Sequence, residues 1–105
     1  MSMSSYTQGA LVDFFLPFVN EDGVTPVDPT TVAFKYSCGT TGPVTLTYSG
    51  ASSAGTGIIW RTGTGNYTAR VDTTPFYGTF TGEAISTGVG QTTNTTQVII
   101  LQRPI

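Results

Sequence analysis

The chain alternates. Across "TVAFKYSC", residues 31–38, Val32, Phe34, Tyr36 and Cys38 fall on one side and Ala33, Lys35 and Ser37 on the other. Successive side chains of an extended chain point to opposite faces, so this pattern predicts a half-buried strand. "VTLTY" repeats it, with Val44, Leu46 and Tyr48 expected inward. "GNYTARVD" at 65–72 repeats it behind a glycine turn, Tyr67, Ala69 and Val71 opposing Thr68, Arg70 and Asp72. Residues 9–19, "IIWR" at 58–61, 77–85 and "TTQVIILQ" at 95–102 read as four further strands. Between them lie "NEDG", "VTPVDP", "GTTGP", the Gly/Ser loop "SGASSAGTG", "TGTG" and "STGVGQTTN", whose Gly, Pro, Asn, Asp and Ser residues favour turns. No window carries an apolar stripe of helical period. About seven short strands at this spacing predict an all-β sandwich, with a small barrel as the alternative.

Two strands are apolar beyond what alternation needs. In the first, Val12, Phe14, Leu16 and Phe18 share one face while Leu11 and Phe15 share the other. One face packs the core; Phe15 then either tucks under a loop or meets a partner. In the last, "QVIIL" is flat and uncharged, so it lies centrally in its sheet or under a partner, because an exposed edge of that kind invites aggregation. Residues 1–8 lack the alternation and read as a flexible arm that orders against a neighbour or not at all. The domain is then 9–105.

With 105 residues there is length for one core. Charge is scarce: four Lys or Arg against six Asp or Glu, a net charge of −2 and 10% charged residues, against about 25% in an ordinary domain. The expectation is no nucleic-acid partner, since that needs several cations to neutralise phosphates. A weakly charged, Thr-rich surface lowers the desolvation cost of packing against other subunits. "ALVDFFLPFV", broken by Asp13 and Pro17, is too short to span a bilayer, so no membrane partner is expected. The N-terminus has no positive region leading into an apolar run and predicts no signal peptide. Cys38 is the one cysteine and reads as a packed thiol.

Histidine is absent, which removes the usual general base and the usual metal ligand. The remaining candidates are carboxylates: Asp13 and Asp28, far apart in sequence, and Asp72 and Glu83, on neighbouring strand patterns. The expectation is no enzyme, no cofactor and no metal. "NEDG" holds part of a calcium-loop pattern without its other ligands and reads equally as an Asx turn. Trp60 beside Arg61 is a core tryptophan, a contact anchor or a sugar platform.

The succession of motifs resembles the small Ig-like β-sandwich proteins encoded among the structural genes of tailed bacteriophages. It comprises "YTQGALVDFFLPFVNEDGVTPVDPTTVAF", "GTGNYTARVDTT" and "YGTFTGEAISTGVGQTT", over about residues 6–101. Phe80 stands where that family has tryptophan. The resemblance implies an Ig-like antiparallel fold and a virion protein made in the host cytoplasm. Its role would be a capsid decoration or cement protein, or a neck, collar or tail component. Its partners would be the major capsid protein or neck and tail proteins, and further copies of itself. Tyr6, Phe15, Phe18, Trp60 and Arg61 are the candidate contact residues. A glycan- or host-surface-binding module using Tyr48, Trp60 and Tyr77 is the alternative.

Overall fold

The computed structural model describes residues 4–39, 41–90 and 96–103. Eight strands form: β1 Ser4–Thr7, β2 Leu11–Pro17, β3 Thr31–Cys38, β4 Thr41–Thr47, β5 Ile59–Gly63, β6 Asn66–Asp72, β7 Gly78–Thr87 and β8 Thr96–Gln102. No helix forms among the described residues. One sheet has the order β1-β8-β7-β3-β4 and the other β2-β6-β5. All pairings are antiparallel except β1 on β8. The seven strands read from the sequence are all present.

Alternation sets which face is buried. β2 buries Val12, Phe14 and Leu16 and exposes Leu11, Asp13 and Phe15. β3 buries the four residues expected. The two sheets close on one core, where aromatic rings interlock. The Phe14 ring of β2 lies 4.9 Å from Phe34 of β3 and 5.4 Å from Phe80 of β7, and Phe80 stacks on Tyr36 at 5.2 Å. Offset stacking of this kind adds to the roughly 1.5–3 kcal/mol that burying each such side chain contributes. Phe80 is wholly buried here, so the phenyl ring fills a core position. Gly82 makes room for Phe34, whose ring occupies the space a β-carbon would take.

Three expectations change. Ser4–Thr7, read as part of an arm, is a strand: it pairs with Ile99–Gln102, and the Gln8 N–H extends the ladder to the Gln102 carbonyl at 2.7 Å. β8 is therefore an inner strand, which resolves where "QVIIL" hides. Val44 has the inward parity expected but is 37% exposed, because β4 is the edge of the wider sheet and β2-β6-β5 does not reach over it. Asp72 and Glu83 are not neighbours, since β6 and β7 belong to different sheets.

Candidate functional site

One end of the molecule gathers the 18–30 connection, the β5–β6 hairpin at 64–65 and the segment after β7. The chain is fixed there by backbone bonds: Phe18 N–H to the Gly65 carbonyl at 2.7 Å, Val27 N–H to Phe18 at 3.2 Å, and Thr30 N–H to Thr87 at 2.9 Å. Gly65 has φ of +72°, and a β-carbon there would stand 2.5 Å from the Phe18 carbonyl oxygen, so only glycine fits the hairpin against this connection.

Asp28 is the hub. Its carboxylate accepts from Arg61 Nε at 3.1 Å and Nη2 at 2.9 Å, from the Gly65 N–H at 2.8 Å and from the Tyr67 hydroxyl at 3.0 Å. The forked guanidinium matches the two carboxylate oxygens. The Arg61 contact first, and the Gly65 N–H after it, hold the Asp28 carboxyl down at about 2. Burial first, and then the bond to Asp28, push Tyr67 up to about 12. This arrangement joins the 18–30 connection to the hairpin; it leaves no carboxylate oxygen without a donor.

Beside it, Asp22 folds back on its own turn. It accepts from the Val24 and Thr25 N–H groups at 2.9 Å each and from the Thr25 hydroxyl at 2.5 Å, and Thr25 lowers its carboxyl to about 2. "NEDG" thus takes the Asx-turn form. An open cleft of about 280 Å³ runs between Val19, Asn20 and Glu21 on one side and Gly88, Val89 and Gly90 on the other. Among the described residues no three Cys, Asp or Glu side chains converge in a way that could hold a metal ion.

The sequence-nominated contact residues scatter. Phe18 is 1% exposed and packs edge-on against Tyr67 at 5.7 Å, so it is core. Arg61 is engaged by Asp28. Trp60 is 7% exposed, yet it lies outside the main core, on the outer face of the three-stranded sheet, with the Arg70 guanidinium 5.2 Å above its ring. Arg70 is itself held by Asp13, Nε to Oδ1 at 2.7 Å. Phe15 shares that outer face and is 48% exposed, with its carbonyl accepting from Gln97 Nε2 at 3.0 Å. Tyr6 sits on β1 at the opposite sheet's edge. Of the nominated residues only Phe15 and Trp60 therefore share this face, one on each side of Thr68.

The rings named for sugar binding form no shared platform. Tyr48 packs edge-on to Tyr67 at 5.0 Å, Trp60 is covered, and the exposed Tyr77 carries the Arg103 guanidinium 3.7 Å above its face. Cys38 is buried, its thiol donates to the Tyr77 carbonyl at 3.1 Å, and burial raises its pKa. The Asp28 hub was not legible in advance; its residues stand 33 to 39 positions apart and no motif links them. No protein-family profile, curated protein or solved structure matches the chain.

Proposed function

We propose that this is a structural protein of a tailed-phage virion, a capsid decoration or cement protein or a head–tail connector component. It would be built on an Ig-like sandwich and act through protein–protein contacts. Support for the Ig-like part is the strand order. In chain order β2, β3, β4, β5, β6, β7 and β8 correspond to B, C, C′, D, E, F and G, giving B-E-D opposite G-F-C-C′. The observation that carries the assembly part is the outer face of the three-stranded sheet. There Leu11 and Phe15 stand outward on β2 beside the Asp13–Arg70 pair, with Ile58 exposed just before β5. Exposed apolar side chains on either side of an ion pair whose charges already satisfy each other suit a protein interface better than open solvent. The virion part rests on the motif succession of the sequence.

Density-gradient fractionation of phage lysates tests it. The chain is expected to band with assembled particles and to leave them together with capsid or neck proteins. A chain that stays free at the top of the gradient, and instead binds immobilised glycans, would replace this reading with the surface-binding module.

A further inference from the structure

Among the described residues, β1 is the one strand with none in the hydrophobic core cluster or packed against it, and its ladder runs to β8 alone. The residues just after it are firmly seated on the 73–74 corner instead. Gly9 N–H donates to Thr73 Oγ1 at 3.0 Å, Thr73 Oγ1 donates to the Ala10 carbonyl at 2.7 Å, and Gln8 Nε2 donates to the Thr74 carbonyl at 2.8 Å. The chain therefore has an anchored connection followed outward by a four-residue strand that the core does not need. Elements with few buried contacts open at low cost without unfolding the rest. When β1 opens, β8 becomes an edge whose "VIIL" segment, Val98–Leu101, is apolar and uncharged, a strong template for another strand.

We propose that β1 is an exchangeable strand: it closes the β8 edge of its own molecule when the protein is free and that of a second copy when copies are packed together. The native ladder shows which peptide fits this edge and in which register: Ser4 beside Ile99 through Thr7 beside Gln102. Delivered by a neighbour, the same residues make the same ladder. The exchange is then close to neutral in contacts and is governed by concentration. A short tether holds β1 at an effective concentration of about millimolar, which copies crowded on one surface rival. This rests on the assembly reading only for the crowding; the exchange itself is a property of the purified chain.

The test mixes two singly substituted full-length chains, Ser5→Cys and Ile100→Cys, under mild oxidation. Both chains keep the buried Cys38, so the linked peptides are mapped, and a disulfide joining the two introduced thiols reports β1 of one copy on β8 of the other. The heterodimer is expected to rise with concentration. It should exceed the out-of-register Ser5→Cys with Val98→Cys pair roughly tenfold, because cysteines whose Cα atoms are more than about 7 Å apart are not bridged. Equal yields from both pairs overturn the proposal. Hydrogen exchange on the unsubstituted chain is the second reading. The Tyr6 amide, which like that of Gln8 faces β8, should exchange well before those of Phe34 and Phe80, and equal protection would show that β1 does not open. Neither result depends on particle binding, so this proposal and the virion reading fail separately.

Discussion

Asp28 keeps its charge where an ordinary carboxyl would already be taking up protons. Its pKa falls from 3.8 to about 2 through the Arg61 and Gly65 bonds, so folding favours the ionised form. The stability this gives is complete above about pH 4 and is lost as the pH falls through about 2. Asp22, lowered to about 2 by Thr25, loses its share in the same window. Thermal unfolding followed from about pH 6 down to pH 2 should show a falling midpoint, shallower in Asp28→Asn. Asp28→Ala leaves the Tyr67 hydroxyl and the Gly65 N–H without their acceptor, and with this site part-exposed should cost about 1–2 kcal/mol at neutral pH. Tyr67 runs the other way. A phenol raised to about 12 contributes stability below about pH 10 that is lost as pH climbs through 12. In a tyrosinate absorbance titration Tyr67 should ionise last, with Tyr36, which burial also raises, late as well.

At the scale of the strand, Gly82 sets how β7 meets β3. A methyl there enters the Phe34 ring, which is itself wedged against Phe14. Gly82→Ala should therefore destabilise by about 1–3 kcal/mol through overpacking, read from chemical denaturation, although alanine suits a strand better than glycine. Seven strands were legible because turn residues bound each extended segment and three of them carry a clean period-two pattern. β1 was not, because "SSYT" has no apolar alternation and its partner, β8, lies at the far end of the chain. Val44 shows a second limit: parity gives the direction a side chain points, while its burial depends on how far the opposing sheet extends. The site followed the same rule. Parity put Phe14, Leu16 and Phe18 on the core face, which the nomination of Phe18 as a contact residue set aside, and the Asp28 hub needs a fold before its members meet.

Across the whole molecule the five-stranded sheet is wider than its partner, and the margins of the two sheets are treated differently. β1 shields β8, the 49–57 loop approaches β5 through the Arg61 N–H bond to the Ala51 carbonyl, and β4 stays open with Pro43 near its start. Substitutions should divide along that line. Val44→Thr, at the open margin, should move stability by no more than about 0.5 kcal/mol, whereas Phe14→Ala, between the sheets, should cost about 3–5 kcal/mol. Since such domains are stable by about 5–15 kcal/mol, the second change brings the chain close to unfolding, and calorimetry would separate the two. The hub at Asp28 also orders events in time. Arg61, Gly65 and Tyr67 belong to one hairpin that closes locally, while Asp28 arrives from 33 to 39 residues away. A latch that fastens only after the hairpin exists is expected to form on the native side of the rate-limiting barrier. Asp28→Asn should thus leave the refolding rate nearly unchanged in stopped-flow experiments and speed unfolding, so that the aspartate acts as a brake on escape from the native state.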